Sequence, residues 1–186
     1  RIEAVILITG HFANIDDPDT VLLKNFDKML RFTGDIPMGL YECPAPYKRI
    51  ISPEILSALL ATDRLVYHKD TSIDREQVKA KLAVVKGSKL EFYDAHTPNG
   101  AFSLQMGAKG MSSISGNFYP EILVWLCNNA TNPDKQEEVE WLQAELTRVD
   151  PLIHIAYPMS AKYFLQKRGL PIRTISRSHI LELTPE

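Results

Sequence analysis

The chain has 186 residues, of which 45% are hydrophobic and 24% charged, a composition that is typical of one soluble globular unit and excludes a fibrous or disordered chain. Its formal net charge is −2 and its Lys and Arg residues are dispersed, so we expect no nucleic-acid partner. Its apolar runs are far shorter than the roughly 20 residues that span a bilayer, so we expect no membrane partner. Its 2 cysteines favour a reducing compartment, which makes the cytoplasm the default location.

Short apolar runs alternate with segments of helical periodicity along the first two thirds of the chain. The run at residues 4–9 is apolar almost throughout, as expected of a parallel strand covered on both faces, and residues 19–32 follow it with helical spacing. Four further βα units are predicted. Their strands lie at 37–41, 64–69, 90–93 and 111–115, and their helices begin at 53 or run over 74–85, 100–106 and 120–129. Ser52 is predicted to cap the first of these helices, and Asp74, with Gln77 three residues on, resembles a capping box at the start of the second.

The rest of the chain is predicted to be mainly helical. Asp134 is placed to cap a helix that runs to about Arg148, a second helix is predicted over 160–168, and one last strand over 178–183. These patterns divide the chain into two parts, which are a segment of five βα units at 1–130 and a C-terminal helical region at 131–186.

Repeated βα units predict an α/β fold with a parallel sheet, either doubly wound or closed into a barrel. A doubly wound nucleotide binder is expected to carry a glycine-rich phosphate loop after its first strand. The segment Thr9-Gly10-His11-Phe12 lacks the GxGxxG pattern. The barrel is therefore favoured, although five units do not close a barrel of eight strands.

Lys69 is the most unusual of the polar residues at the predicted strand ends. If Leu65, Tyr67 and Lys69 share one face of their strand, Lys69 lies near the barrel axis, where burial would lower its pKa and make the amine nucleophilic. Tyr41 closes the preceding strand and is expected beside Lys69, where a phenol can relay protons. The alternative is that Lys69 is simply the first solvated residue after a strand.

A competing interpretation takes His68, Asp70, Asp94 and His96 as ligands of a divalent metal ion. Strand alternation counts against it, because His68 points toward the surrounding helices if Lys69 points inward. We therefore expect no metal.

Two short polar segments have both a functional and a structural interpretation. Thr71 and Ser72 either give hydroxyls to a bound keto acid or begin the turn before the next helix. Gly116-Asn117 is either a turn or a close approach of the backbone to a ligand.

Three segments resemble the dihydrodipicolinate synthase and N-acetylneuraminate lyase family of class I aldolases. Residues 40–44, Leu-Tyr-Glu-Cys-Pro, resemble its Tyr-x-x-Pro segment. Residues 66–71, Val-Tyr-His-Lys-Asp-Thr, resemble the strand that carries its Schiff-base lysine, and Lys69 follows Tyr41 by the family's separation of 28 residues. Residues 106–117 are similar to its Gly-Ala-x-Gly-x-Ile-Ser-x-x-x-Asn segment on the last barrel strand.

The resemblance implies a (β/α)₈ barrel represented from about the fourth strand onward, followed by C-terminal helices. It implies a lyase or aldolase that needs no cofactor, with pyruvate or a 2-keto-3-deoxy acid and an aldehyde as substrates. Lys69 would be the nucleophile and Tyr41 the proton shuttle, and Thr71, Ser112 and Asn117 would bind the substrate. Family members commonly associate, so a homodimer or homotetramer is expected.

The resemblance also has departures. The first three barrel strands and the Gly-x-x-Gly-Glu loop that binds the pyruvate carboxylate have no counterpart here, so we expect a fragment or a chain that needs a companion segment. Pro46 stands where the synthases carry an arginine for the second substrate, and His11-Phe12 stands where they present a tyrosine. The alternative function is therefore a non-catalytic binding or regulatory relative.

Overall fold

A computed structural model describes residues 2–177, in which five parallel strands form one sheet. The strands pair in chain order, each with the next, as expected of successive right-handed βα units. The predicted α/β fold with a parallel sheet is thus confirmed. The strands are β1 (Val5–Ile8), β2 (Met38–Tyr41), β3 (Leu65–Asp70), β4 (Glu91–Asp94) and β5 (Gly110–Met111).

Seven α-helices lie within the described residues. Five of them follow one strand each, and the last two form the helical region after the sheet. The helices are α1 (Asp19–Phe32), α2 (Pro53–Leu60), α3 (Arg75–Val85), α4 (Gly100–Gln105), α5 (Pro120–Asn129), α6 (Gln136–His154) and α7 (Met159–Lys167).

Side-chain caps begin two of the helices where the sequence predicts them. The Ser52 hydroxyl accepts from Ile55 N at the start of α2, and the Asp74 carboxylate accepts from Glu76 N and Gln77 N at the start of α3. These caps satisfy backbone donors that have no partner within the helix.

The later elements differ in part from the sequence predictions. The strand predicted at 111–115 is wrong in extent, because β5 ends at Met111 and Ile114–Asn117 forms a 3₁₀ turn. Asp134 does not cap the next helix. Instead, Asn132 caps a 3₁₀ turn that leads into α6, which continues beyond Arg148 to His154. The strand predicted at 178–183 lies outside the described residues, and the division of the chain at residue 130 stays a prediction.

The main apolar core lies between the helices and one face of the sheet. Leu40 from β2 and Phe92 from β4 are buried there with Phe26, Leu56 and Val78 from helices α1 to α3. A second cluster joins α4, α5 and α6 around the buried residues Leu104, Leu126 and Leu146. Burial of these side chains is the main favourable contribution to folding.

The opposite face of the sheet is more open. Tyr67 and Tyr93 stack there with ring centroids 5.0 Å apart, and Ile6 of the edge strand β1 is 44% exposed. Gly39 is required on this face, because a Cβ atom added to it would lie 2.9 Å from Tyr67 Cβ. Within residues 2–177, no helix is both long enough and apolar enough to cross a membrane.

We predict that Gly39→Ala lowers the free energy of unfolding by about 1–3 kcal/mol, because the new methyl group overpacks the contact with Tyr67. Gly116→Ala is the matched control, since its Cβ would meet only Leu123 Cδ1 at 3.7 Å, an ordinary contact. Urea denaturation of both variants measures the difference. Equal stability of the two variants would contradict the prediction.

Candidate active site

The carboxyl ends of β2 and β3 bring Tyr41 and Lys69 together. The two residues are direct partners in the parallel register of these strands. The Lys69 Nζ atom lies 4.4 Å from the centroid of the Tyr41 ring. An amine and a phenol thus occupy the edge of the sheet at which ligands of parallel α/β folds bind.

Side-chain alternation along β3 separates two environments. Tyr67 and Lys69 are partly exposed on the open face, whereas His68 and Asp70 are 0% exposed on the opposite face. Leu65 does not follow the alternation of Tyr67 and Lys69, because a register shift against β2 precedes them, and it is buried in the main core. The alternation that directs the Lys69 side chain to the open face therefore holds only for residues 67–70, the second part of the strand.

A cavity of about 170 Å³ lies above the strand ends. Both Lys69 and Tyr41 line it, together with Lys48, His96 and four apolar residues among others. None of the described residues that line it is acidic, so the cavity is suited to a substrate that carries negative charge.

Burial shifts the pKa values of both residues in the direction that the chemistry of an amine nucleophile requires. Burial lowers the pKa of the Lys69 amine, and the neighbouring Cys43 thiol opposes this effect. Burial and a hydrogen bond with Cys43 raise the pKa of Tyr41 to about 12. At neutral pH the phenol is protonated and can donate a proton, and the amine is easier to deprotonate than an exposed lysine.

The three residues predicted to bind substrate are placed differently. Thr71 and Ser112 line the cavity with Lys69. The Thr71 hydroxyl donates to the Glu42 carbonyl oxygen at 2.7 Å, which leaves its oxygen as an acceptor. Asn117 is not among the residues that line the cavity, and its amide donates to Ile114 O and Tyr157 Oη.

The structure does not bring together the four residues of the competing metal interpretation. Asp94 Oδ1 accepts from the His96 backbone at 2.7 Å and Oδ2 accepts from the Ser103 hydroxyl. Within residues 2–177, the group whose possible ligand atoms lie within 4.8 Å of one another is Glu42, His68 and Asp70.

An ammonium group lies between the two carboxylates of that group. Lys81 Nζ from α3 lies 2.7 Å from Glu42 Oε1 and 2.5 Å from Asp70 Oδ2, and all three side chains are 0% exposed. We refer to Glu42, His68, Asp70 and Lys81 as the buried ion cluster. The sequence analysis missed Glu42 and Lys81. A signal was present, since Lys81 lies on the apolar face of α3 beside Leu82.

The charges of the buried ion cluster stabilise one another. Burial favours the neutral forms of Glu42 and Asp70, but His68 and Lys81 outweigh it and lower the pKa of both carboxyls. Burial likewise opposes the charged form of His68, but the two carboxylates raise its pKa. The His68 Nε2 atom lies 3.5 Å from Glu42 Oε1, so the attraction is mainly electrostatic.

Comparison with known proteins assigns the fold. The sequence model of the dihydrodipicolinate synthetase family matches residues 2–186. The chain is 22% identical over 172 residues to 4-hydroxy-tetrahydrodipicolinate synthase of Thermodesulfovibrio yellowstonii, covering 92% of this chain and 54% of that protein. It is 25% identical over 172 residues to the Escherichia coli protein named "Probable 2-dehydro-3-deoxy-D-pentonate aldolase YjhH", covering 88% of this chain and 56% of that protein. The chain thus spans little more than half the length of these relatives.

Solved structures of the family share the fold. The structure of YagE from Escherichia coli K12 in complex with pyruvate has a TM-score of 0.77 and 19% identity, covering 94% of this chain and 59% of YagE. Dihydrodipicolinate synthase from Bacteroides thetaiotaomicron has a TM-score of 0.79 and 22% identity, covering 97% of this chain and 62% of the synthase.

We predict that the buried ion cluster stabilises the fold most between about pH 4.5 and 6.5, the ordinary pKa values of Glu and His. Because Glu42 and Asp70 have lowered pKa values, their contribution is present above their ordinary pKa values and is lost as pH falls through the folded ones. Because His68 has a raised pKa, its contribution is present below 6.5 and is lost as pH rises through the folded value. Urea denaturation at a series of pH values measures both effects.

Two variants separate the two halves of this pH profile. His68→Gln is expected to remove the loss of stability at alkaline pH, and Asp70→Asn is expected to reduce the loss of stability at acid pH. Asp27→Asn, in an exposed pair with Arg31, is the control and should leave the profile unchanged. An alkaline loss that persists in His68→Gln would assign it to another group.

Proposed function

We propose, from the premise that this chain belongs to the dihydrodipicolinate synthetase family, that it carries the Schiff-base chemistry of a class I aldolase or lyase. The substrate is pyruvate or a 2-keto-3-deoxy acid, and the reaction forms or cleaves a carbon–carbon bond. The observation that carries the proposal is the placement of Lys69, an amine with a lowered pKa, beside Tyr41 in a cavity at the strand ends. YagE binding pyruvate and the aldolase name of YjhH support this substrate class.

The first step is attack of the neutral Lys69 amine on the keto carbon. A carbon–nitrogen bond forms, the carbonyl π bond breaks, and the oxygen takes a proton to give a carbinolamine. The proton on the oxygen comes from the attacking nitrogen, which leaves a neutral carbinolamine. Tyr41 then gives its phenolic proton to the departing hydroxyl, which leaves as water while the nitrogen lone pair completes the iminium, and the phenolate takes a proton from solvent. The raised pKa of Tyr41 keeps its proton in place until this step.

The iminium formed on Lys69 draws electrons from the neighbouring carbon–carbon bond. In cleavage, that bond breaks as the hydroxyl group on its far carbon loses its proton, which gives an enamine and an aldehyde. In the synthetic direction, the pyruvyl iminium loses a methyl proton to give the enamine, whose carbon attacks the aldehyde while the aldehyde oxygen takes a proton. Thr71 and Ser112 are proposed to contact the substrate beyond the pyruvyl unit, because both line the cavity with Lys69. Asn117 is proposed to act less directly, by holding the turn at Ile114–Asn117 against Tyr157.

The sheet is proposed to be the later part of a (β/α)₈ barrel. The parallel strands in chain order and the exposed apolar side chains of β1 at one edge, Val5 and Ile6, support this proposal. A segment that supplies the earlier strands would cover this edge and hold the carboxylate of the keto acid. Association into a homodimer or homotetramer, which the family resemblance implies, stays a prediction.

We predict that incubation with pyruvate and borohydride gives a reduced pyruvyl adduct on Lys69. The reduction converts the Schiff base into a stable secondary amine, which intact-mass spectrometry and peptide mapping locate. Lys69→Ala should give no adduct. Lys48→Ala is the matched control, because Lys48 lines the same cavity but donates to Thr71 O, and its variant should still form the adduct on Lys69.

The outcome also distinguishes the two functions considered. A wild-type protein that is folded, includes the earlier barrel strands and forms no adduct would reject the aldolase proposal in favour of a non-catalytic binding or regulatory protein. An adduct on Lys48 instead of Lys69 would show that Lys48 is the nucleophile and that the assignment to Lys69 is wrong.

We predict that Tyr41→Phe slows adduct formation by roughly 10²–10⁴-fold, the usual contribution of a general acid–base group. The aromatic ring beside Lys69 is kept, so the contact at 4.4 Å is preserved and only the proton is lost. The rate of borohydride trapping at saturating pyruvate is the measurement. A rate within about threefold of the wild type would remove Tyr41 from the proton transfer.

A further inference from the structure

The buried ion cluster flanks both residues of the proposed chemistry in the sequence. Glu42 directly follows Tyr41, and His68 and Asp70 stand on either side of Lys69. Because successive side chains of a strand point to opposite faces, the cluster lies behind the sheet as seen from the cavity. Its side chains are 0% exposed and therefore have no direct contact with a substrate.

Hydrogen bonds of the cluster join the ends of the two strands that carry Tyr41 and Lys69. Lys81 Nζ donates to Glu42 at the end of β2 and to Asp70 at the end of β3. The second carboxylate oxygen of Glu42 accepts from Thr71 N at 2.8 Å, and the Thr71 hydroxyl donates to Glu42 O at 2.7 Å. Four side-chain contacts thus fix the position of β2 against β3 just beyond the reactive residues.

Stability alone is a poor explanation for four buried ionisable groups. Removing charges from water is costly, and apolar residues of similar volume often stabilise a protein as well or better. The apolar neighbours of Lys81 on α3, Val78 and Leu82, show that this helix face already packs against the core. A role in geometry explains why charged groups stand at these positions, since hydrogen bonds fix direction and distance more narrowly than apolar contacts do.

We propose that Lys81 and Glu42 are positioning residues, which hold the Lys69 amine and the Tyr41 phenol at the separation that proton transfer requires. This proposal rests on the proposed function, because it concerns the same lysine and tyrosine. Without the Lys81 ammonium, the Glu42 and Asp70 carboxylates repel each other and the strand ends separate. Without the Glu42 carboxylate, the backbone of Thr71 loses its acceptor.

The test compares Lys81→Met and Glu42→Gln with a control variant from the same helix. Lys81→Met keeps most of the length of the unbranched side chain and removes the ammonium group, and Glu42→Gln keeps the shape of the carboxylate. Leu82→Ala is the control, because it removes core packing of α3 but leaves the hydrogen bonds of Lys81 in place. Circular dichroism sets a temperature at which all proteins are folded, and borohydride trapping is followed there as a function of pyruvate concentration.

We expect Lys81→Met and Glu42→Gln to lower the maximal trapping rate by roughly tenfold to a hundredfold, since small errors in placement have large effects on rate. The pyruvate concentration for half-maximal trapping should change by less than about threefold, because the cluster does not touch the substrate. Leu82→Ala should lose thermal stability but trap at the wild-type rate per folded molecule. A folded Lys81→Met protein that traps as fast as Leu82→Ala overturns the proposal.

A second probe separates failure of this proposal from failure of the proposed function. Pentane-2,4-dione condenses with a reactive lysine to give an enaminone that absorbs in the near ultraviolet, and it needs no pyruvate site. If the wild type traps no pyruvate, the proposed function fails, and the same set of variants is then compared by dione labelling of Lys69. Slower labelling in Lys81→Met and Glu42→Gln than in Leu82→Ala supports the positioning role, and equal labelling rates overturn it.

Discussion

The alternation of side chains along β3 is the constraint on which the rest of the site depends. Because successive side chains point to opposite faces of the sheet, the position of a residue along the strand decides whether its side chain lies in the cavity or in the protein interior. Lys69 therefore reaches the cavity, while its neighbours His68 and Asp70 enter the buried ion cluster. A slip of one residue in this strand would exchange the two sets, which would place a lysine in the core and a histidine and a carboxylate in the cavity.

Pairing of β2 with β3 turns this alternation into a site. The parallel register places Tyr41 opposite Lys69, so each strand gives one side chain of the proposed chemistry to the cavity and one carboxylate to the region behind it. The ammonium of Lys81 then acts on both strands at once. Because its two carboxylate partners come from different strands, the ion cluster links the register of the sheet to the packing of α3.

The sequence predicts the parts of the structure that depend on local patterns. Five apolar runs with helical segments between them are enough to predict the parallel sheet, and the Ser52 and Asp74 caps follow from short-range hydrogen bonding. The predicted strand at 111–115 is longer than β5 because the run Met-Ser-Ser-Ile-Ser resembles an extended segment, although the backbone there turns into a 3₁₀ helix. Lys81 and Glu42 were missed because they are 39 residues apart, and their contact depends on how α3 docks against the sheet.

One physical cause shifts Lys69 and Tyr41 toward the protonation states that the proposed Schiff-base chemistry needs. Burial disfavours the charged form of any titratable group, and the charged form is the cation for lysine and the anion for tyrosine. The same partial removal from water therefore lowers the pKa of Lys69 and raises that of Tyr41. An amine that is more readily neutral thus lies beside a phenol that keeps its proton, and none of the described residues that line the cavity is an acid whose charge would raise the pKa of Lys69 again. The opposite shifts of the two pKa values follow from the partial burial of the strand ends. In the proposed arrangement, the hydrogen bonds behind the sheet hold the strand ends in this position.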